Sequence, residues 1–313
     1  MSVSVLMPVY NCAHHLPAAI DSILSQTYRD FEFIIIDDHS TDDTSLALER
    51  YQAQDSRIKV YRNDGNLGVA KSLNRGLELA HGEYIARMDA DDISLPERFA
   101  RQVEYLDVHP EIGALGTQTV YIDDDGKFLP QQTWEQPTSP SLILWHLLYG
   151  SPLCHPSTIM RADCLQRVGG YDPDYPNEDM HLWTKLAFVT KLMNLDEVLL
   201  QYRMGPHEYD EKRIYWDPHI QRVSHQFIER VLVRSVDPAL SRLHISATKN
   251  RKVDQSTSFL TLFRLCSLLK EIFVRLKQSG LIDGKQVAQV ESLVITQTQG
   301  LLVDAFNAMK YNQ

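Results

Sequence analysis

The chain has 313 residues, 43% of them hydrophobic and 23% charged, with a formal net charge of -10. This composition supports a sizeable core and excludes a globally disordered protein, and the length allows one large domain or a domain with an extension. No run approaches the roughly 18 uncharged apolar residues of a membrane span, no signal-peptide pattern opens the chain, and the four cysteines are scattered. We therefore expect a cytosolic protein with reduced thiols.

The charge is distributed unevenly along the chain. Residues 1–210 contain 16 Lys and Arg against 32 Asp and Glu, a net -16, whereas residues 211–313 contain 15 against 9, a net +6. The acidic part could need cations, and the basic part could meet an anionic surface. Two differently solvated surfaces are an equally good explanation of the same asymmetry.

The first hundred residues alternate between strand and helix patterns. Apolar, β-branched runs predict buried strands at 2–10, 31–37, 57–62 and 83–89, and helical spacing of apolar residues predicts helices at 17–28, 41–54 and 66–82. Such alternation predicts an α/β fold, with a mostly parallel sheet flanked by helices. Ligands of these sheets bind beyond the carboxyl ends of the strands.

The pattern changes further along the chain. A strand runs into a hairpin turn at 123–126, and a helix is expected from about Glu178. After residue 210 only helical patterns follow, around 220–231, 259–276 and 287–306, with a polar loop at 246–257. We therefore predict a catalytic or binding domain at 1–210 and a helical C-terminal extension at 211–313.

Polar side chains follow each of the four predicted strands: Tyr10 and Asn11, then Asp37 and Asp38, then Arg62 and Asn63, then Asp89, Asp91 and Asp92. The carboxyl ends of neighbouring parallel strands meet at one edge of a sheet. We therefore expect these side chains to lie close together.

The acidic run after the fourth strand needs a physical reason. Neighbouring carboxylates raise each other's proton affinity unless a cation lies between them. Mg²⁺ or Mn²⁺ typically binds one or two carboxylates together with substrate phosphates. Asp89 and Asp91 therefore predict a metal and diphosphate site, whereas Asp92 or Ser94 could instead cap a helix that begins near Pro96.

Family 2 glycosyltransferases of the GT-A fold resemble this chain in four ordered segments: VSVLMPVYN, QTYRDFEFIIIDDHSTDDT, NLGVAKSLNRGLELAHGEYIARMDADDISLPERF and YPNEDMHLW. The resemblance extends over about residues 2–205 and does not cover the extension. It implies a GT-A (Rossmann-like) fold and an inverting enzyme that uses a nucleotide-diphosphate sugar, with UDP as the expected nucleotide. It also implies a divalent metal ion, Mn²⁺ or Mg²⁺, as the cofactor.

The resemblance implies nucleotide-binding roles for Pro8, Tyr10, Asp38, Lys71 and Asp89. Pro8 and Tyr10 would pack against the base, Asp38 would accept a hydrogen bond from it, and Asp89 would contact the ribose. The residue-level alternatives are that Asp38 caps the helix that follows and that Lys71 is a solvated lysine.

The resemblance also implies that Asp91 is the direct metal ligand and that His207, after Tyr-Arg203, meets the diphosphate or metal. Asp179 would be the general base, because an acceptor hydroxyl is a poor nucleophile until its proton is removed. Glu178 and His155 would support the site or contact the acceptor. An acidic helix N-terminus and a structural histidine are the alternatives.

The expected reaction is sugar transfer to a hydroxyl of a saccharide or lipid-linked acceptor in cell-surface polysaccharide synthesis. A sugar nucleotidyltransferase is an alternative, although PVYNCAHH contains no glycine, and so is a non-catalytic sugar-nucleotide-binding protein. No nucleic-acid partner is expected. The extension could pack on the catalytic domain or form a homodimer, or basic residues could bring the enzyme to the inner face of the membrane, among them Arg264, Lys270, Arg275 and Lys277.

Overall fold

The computed structural model describes residues 2–130, 135–204, 208–250, 259–284 and 286–311. The chain divides into two compact units. One comprises Met1–Thr138 with Leu153–Arg213, and the other comprises Ser139–Pro152 with Ile214–Gln313. The sequence did not predict that residues 139–152 group with the C-terminal helices, and the proposed division at residue 210 stays a prediction.

The first unit contains a mixed, mostly parallel sheet of eight strands: β1 Val3–Val9, β2 Phe31–Asp37, β3 Ile58–Arg62, β4 Tyr84–Arg87, β5 Ile93–Ser94, β6 Ile112–Ile122, β7 Ile159–Arg161 and β8 Lys191–Arg203. Their order across the sheet is β3-β2-β1-β4-β7-β6-β8-β5. The first four are mutually parallel, whereas β7 is antiparallel to both β4 and β6. The predicted α/β fold class is confirmed.

The helices of the first unit are α1 Leu16–Leu24, α2 Thr44–Gln54, α3 Val69–Leu79, α4 Arg98–Val108, α6 Ala162–Val168 and α7 Glu178–Leu186. A short 3₁₀ helix spans His155–Ser157. Those of the second unit are α5 Pro140–His146, α8 Glu208–Leu232, α9 Pro238–Asn250, α10 Phe259–Gln278 and α11 Val287–Tyr311, with α8 beginning in the first unit.

Burial of β1, β2 and β4 explains their apolar composition. Every residue of β2 and β4 is buried, and so are six of the seven residues of β1. A strand covered on both faces loses the alternation of apolar and polar residues that a half-exposed strand would show. The consecutive apolar run in the sequence is therefore the signature of a central position in the sheet.

The hairpin predicted at 123–126 is present, since Asp123 N donates to Lys127 O at 2.9 Å. The proposed caps of α4 are wrong. This helix begins at Arg98, the Asp92 carboxylate accepts a hydrogen bond from Arg203 N, and the Ser94 hydroxyl accepts one from Gln26. Pairing of β5 with β8 places Ser94 in the sheet, and the bond from Arg203 N holds the Asp92 carboxylate directly before β5, away from the start of α4.

In the second unit, α10 packs against α9 and α11. The inward residues of α10 include Leu262, Leu265, Leu269 and Ile272, which are all buried. These residues therefore pack within the second unit, while Phe263 remains 54% exposed. None of the helices in the described ranges is long and apolar enough to cross a membrane.

Candidate active site

The ends of β1 to β4 meet at one edge of the sheet, as expected from their order. Asp38 N donates to Val9 O at 2.8 Å, which joins the ends of β2 and β1. Asn63 Nδ2 donates to Asp38 Oδ1 at 2.6 Å, which adds the end of β3. Cys12 Sγ lies 3.3 Å from the backbone oxygen of Ala90, so the loop after β1 also touches the acidic run after β4.

Asp38 is buried at this edge and organises the start of α3. Its Oδ1 accepts hydrogen bonds from Asn63 Nδ2 and from Leu67 N at 2.8 Å, and its Oδ2 accepts one from Gly68 N at 2.8 Å. The alternative that Asp38 caps the helix directly after β2 is wrong, because it holds α3 and not α2. A carboxylate oxygen accepts two hydrogen bonds, so Oδ2 retains capacity for a ligand donor.

The other residues predicted to bind a nucleotide occupy exposed or partly exposed positions. Tyr10 is 49% exposed directly after β1, and Pro8 is partly exposed within that strand. Lys71 is exposed in the first turn of α3, the same turn that Asp38 anchors. The fold therefore leaves an aromatic ring and a cation open to solvent beside a buried carboxylate.

The three carboxylates after β4 have different environments. Asp89 is 32% exposed and Asp91 is partly exposed, whereas Asp92 is buried. Asp92 Oδ1 accepts a hydrogen bond from Arg203 N at 2.7 Å, and its Oδ2 is buried without a hydrogen-bond partner. Burial, reinforced by the charges of Asp89 and Asp91, raises the pKa of Asp92 well above its usual value.

Arg203, at the end of β8, holds this acidic loop in place. Its Nε donates to Asp91 O at 2.7 Å, and its Nη1 donates to the backbone oxygens of Asp123 and Asp124. The guanidinium is buried and all these acceptors are main-chain atoms. Arg203 therefore fixes the backbone of the loop and does not neutralise its carboxylates through these bonds.

The donor set fits a divalent cation. Two accessible carboxylates, Asp89 and Asp91, stand next to a buried carboxylate oxygen that lacks a partner, and oxygen is the ligand that Mg²⁺ and Mn²⁺ prefer. Among the described residues no three His, Cys, Asp or Glu side chains are grouped as a metal site. Predicted ligand His207 lies outside the described residues.

A second constellation lies at the start of α7. Glu178 is 9% exposed, and its Oε1 is 3.5 Å from His155 Nδ1. The other ring nitrogen of His155 is 2.8 Å from the Tyr171 hydroxyl. His155 also packs edge-on against the buried Trp183, so its ring is held on three sides.

Burial shifts the pKa values of Glu178 and His155 in opposite directions. Burial raises the pKa of Glu178 to about 7, although the Arg87 charge opposes the shift. Burial and the same Arg87 charge lower the pKa of His155 to about 3. Near neutral pH the imidazole is therefore uncharged, and Glu178 is close to the midpoint of its own titration.

Asp179 follows Glu178 in the first turn of α7 and is partly exposed. Its charge and that of Asp89 both act on His155, raising the pKa of the ring against the larger effect of burial. The structure therefore brings the Glu178-Asp179 pair into electrostatic range of the acidic loop after β4. In sequence these two constellations are separated by nearly ninety residues.

Arg87 connects the two constellations and was missed in the sequence. It is 3% exposed at the end of β4, and its Nη2 lies 2.6 Å from Asp89 Oδ1. Tyr171 and Glu178 also act electrostatically on its guanidinium. The sequence does carry one signal for Arg87, which is a charged residue inside an otherwise apolar run. A buried charge needs a partner, so this pattern indicates a nearby carboxylate.

A second buried arginine supports the same strand end. Arg98 is fully buried in α4 and donates to the backbone oxygens of Arg87 and Pro156. Burial lowers the pKa of its guanidinium to about 9. These bonds link β4 to the 3₁₀ helix that carries His155, which helps to hold the two constellations together.

Comparison with known sequences shows the family to which the chain is related. The family model for glycosyl transferase family 2 matches residues 4–169. The chain is 32% identical over 276 residues to the putative glycosyltransferase EpsE of Bacillus subtilis, covering 80% of this chain and 95% of EpsE. It is also 30% identical to the amylovoran biosynthesis glycosyltransferase AmsE of Erwinia amylovora, and this match covers 67% of this chain and 79% of AmsE.

A further relative has a more specific name. The chain is 30% identical over 206 residues to WfaP of Escherichia coli, covering 64% of this chain and 77% of WfaP. WfaP is named as a UDP-Glc:alpha-D-GlcNAc-diphosphoundecaprenol beta-1,3-glucosyltransferase. The named relatives thus include enzymes of polysaccharide biosynthesis and one that acts on a lipid-linked sugar.

Solved structures share the fold at low sequence identity. TarS 1–349 of S. aureus in complex with UDP-GlcNAc superposes with a TM-score of 0.62 at 18% identity, covering 100% of this chain and 93% of TarS. The mannosyltransferase PcManGT from Pyrobaculum calidifontis, in complex with GDP-Man and Mn²⁺, superposes with a TM-score of 0.57 at 19% identity. The match covers 99% of this chain and 88% of PcManGT. The GT-A fold is confirmed, the protein is a glycosyltransferase, and the chain belongs to glycosyl transferase family 2.

Proposed function

We propose that this enzyme inverts the anomeric centre while transferring a sugar from a UDP-sugar to a hydroxyl of a saccharide or lipid-linked acceptor in cell-surface polysaccharide synthesis. The observation that carries the proposal is the contact of Arg87 with Asp89 beside Glu178. This contact brings together two groups of carboxylates. The loop at 89–92 is suited to hold a divalent cation with a nucleotide diphosphate, and the Glu178-Asp179 pair is suited to activate a hydroxyl. The UDP-GlcNAc complex of TarS and the name of WfaP support the choice of donor and acceptor.

The nucleotide would bind along the ends of β1, β2 and α3. Tyr10 offers an exposed ring for stacking against the base, the partly exposed Pro8 offers a second apolar surface, and Asp38 Oδ2 retains capacity to accept from a ring N–H. Asp89 would accept hydrogen bonds from the ribose. Lys71 would reach toward phosphate from the first turn of α3, where the helix dipole also favours an anion.

Asp91 would hold the divalent cation, with His207 as a second ligand and the donor's phosphate oxygens completing the set. When bound, Mn²⁺ or Mg²⁺ supplies positive charge that stabilises the departing diphosphate. The protein's part is to present the carboxylates at a fixed spacing. Arg203 does this by holding the main chain at Asp91, and its bond to Asp92 keeps the loop from opening.

Asp179 would act as the general base on the acceptor hydroxyl. Glu178 is the less suitable base, because it is buried against His155, whereas Asp179 is partly exposed and more accessible to an acceptor. The hydroxyl oxygen would attack the anomeric carbon on the face opposite UDP, so that the new bond forms as the bond to UDP breaks and the centre is inverted. Asp179 would take the hydroxyl proton during this attack. Glu178 and His155 would hold the start of α7 and the acceptor side of the site.

The test is a transfer assay with a panel of UDP-sugars and with saccharide and polyprenyl-diphosphate-linked acceptors, followed by NMR of the product. We expect UDP release that depends on the acceptor and an anomeric configuration opposite to that of the donor. A retained configuration would refute the inverting mechanism. Tight sugar-nucleotide binding without turnover on any acceptor would favour a binding protein.

The proposal extends to organisation and location. We assign catalysis to residues 1–210 and treat 211–313 as a helical extension of the enzyme. We place the enzyme in the cytoplasm, at the inner face of the membrane where a lipid-linked acceptor would be found. The competing role of the extension is homodimerisation. Sedimentation of the full chain, alone and with lipid vesicles, distinguishes a dimer from a chain that associates with membranes.

A further inference from the structure

The outer side of α10 is unusually apolar for an exposed helix face. Leu260, Phe263 and Val274 are 59%, 54% and 46% exposed. The helix turns every 3.6 residues, so positions spaced by three, four, seven and fourteen residues return to one side. These three side chains therefore form a strip along the helix, opposite the side that packs against α9 and α11.

Cations border this strip on both sides. Lys270 and Lys277, seven residues apart, lie along one edge, and Arg264 and Arg275, eleven residues apart, lie along the other. All four side chains are exposed. The result is an apolar centre flanked by long basic side chains, whose aliphatic stems can lie along an apolar phase while their charges stay in water.

The acidic residue of α10 does not cancel this charge. Glu271 is the helix's one carboxylate, and its two oxygens are 3.1 and 2.5 Å from Nε and Nη2 of Arg234. This hydrogen bonding with Arg234 lowers the pKa of Glu271, so the pair stays charged and internally balanced. The four bordering cations therefore leave a net positive surface.

We propose that the outer face of α10, meaning Leu260, Phe263 and Val274 with the four cations that border them, docks on an anionic lipid bilayer. An apolar strip between basic edges is the arrangement by which an amphipathic helix lies in a membrane interface. Basic residues attract anionic lipid, and the apolar side chains enter the boundary of the acyl chains.

The arrangement fits lipid better than the other polyanions. A nucleic acid would need the cations at the centre of the face, where this helix has apolar side chains instead. A second copy of the chain could also cover the strip. In that case self-association, and not vesicle binding, would depend on these side chains. The docking surface deepens the proposed function, because it would bring the site to a lipid-linked acceptor.

The experiment is co-sedimentation of the full chain with vesicles. Vesicles of phosphatidylcholine with about one third phosphatidylglycerol are compared with pure phosphatidylcholine, each at low and high salt. We expect binding to the anionic vesicles alone, weakened by salt because screening shortens the range of the attraction. Absence of binding to anionic vesicles at low salt would overturn the proposal.

Two variants and a matched control locate the surface. Lys270→Glu with Lys277→Glu is expected to reduce the partition coefficient at least about tenfold. Phe263→Ser, at an exposed position, is expected to weaken binding while leaving a strong dependence on salt. Arg50→Glu with Lys127→Glu makes the same change in net charge at exposed positions of the first unit and should bind like the parent. Equal loss in both double variants would overturn the assignment.

Two further outcomes separate the alternatives. If the parent is a dimer that Phe263→Ser dissociates, and neither binds vesicles, the face is a self-association surface and the proposal fails. Binding needs no catalysis, so a chain that docks but transfers no sugar would count against the proposed function and still support the docking surface.

Discussion

Arg87 Nη2 lies 2.6 Å from Asp89 Oδ1, and the two residues differ sharply in exposure, at 3% for the arginine and 32% for the carboxylate. A buried guanidinium thus holds one oxygen of a carboxylate that remains open to solvent. Because Glu178 is also among the electrostatic partners of Arg87, the orientation of Asp89 is tied to the start of α7.

Arg87→Lys should therefore weaken donor binding. A lysine keeps the charge but cannot reproduce the planar fork that reaches Asp89 and the backbone oxygen of Met88 together. Loss of a charged hydrogen bond predicts an increase of about tenfold or more in the KM for the UDP-sugar, with a smaller change in kcat. Steady-state kinetics in donor and acceptor separately make the measurement.

The control for Arg87→Lys is its thermal unfolding. A positioning role predicts the change in donor KM even in preparations whose melting temperature stays close to that of the parent. An unchanged donor KM together with a large fall in melting temperature would mean that Arg87 serves only the core.

Asp91→Asn should leave the fold intact and remove most of the divalent-ion-dependent binding of UDP. A neutral amide is a weak ligand for a hard cation, and Asp91 is partly exposed, so the substitution buries no new polar group. Calorimetry of UDP binding with and without Mn²⁺ gives the result. Asp196→Asn, at an exposed position of β8, is the matched control. Unchanged Mn²⁺-dependent affinity in Asp91→Asn would show that this carboxylate is not the ligand.

Asp179→Asn should preserve donor binding and lower the rate of transfer by roughly 10² or more, the usual scale for a missing general base. Single-turnover assays with saturating acceptor test the chemical step directly. Asp174→Asn, an exposed change in the loop before α7, should transfer sugar at the parent rate. Near-normal turnover by Asp179→Asn would exclude it as the base and reopen a retaining mechanism.

Glu178→Gln should change how stability depends on pH. Burial raises the pKa of Glu178 from 4.5 to about 7, so the folded protein keeps a proton that the unfolded chain releases between these values. The free energy of unfolding should therefore fall as the pH rises through this window. Above this pH window, the ionised and buried Glu178 lowers the free energy of unfolding by up to about 3 kcal/mol. A neutral glutamine avoids this loss.

Thermal unfolding at about pH 5 and about pH 8.5 measures the Glu178 effect. At the higher pH we expect the glutamine variant to have a higher melting temperature than the parent. At the lower pH the two melting temperatures should differ little. A gain of equal size at both values would mean that packing, not ionisation, distinguishes the two side chains.

Several features of this protein follow from local chemistry in the sequence. The runs around β1, β2 and β4 are apolar because both faces of these strands are buried, and that condition is written into consecutive residues. The polar residues after each strand had to meet at one edge, because parallel neighbours end together. Glu178 and Asp179 could also be placed in the first turn of a helix.

Contacts between distant parts of the chain decided the rest. Asp92 and Ser94 look like helix caps locally, but β8, about a hundred residues away, pairs with Ser94 in the sheet and donates a main-chain hydrogen bond to the Asp92 carboxylate. Arg87 has no recognisable motif, and its role depends on the fold bringing Glu178, at the start of α7, into its electrostatic range. The pKa values of His155 and Glu178 likewise depend on burial, which arises only when separate segments pack and exclude water. Sequence spacing therefore determined which chemical groups stand at the edge of the sheet, and tertiary packing decided their partners and their protonation.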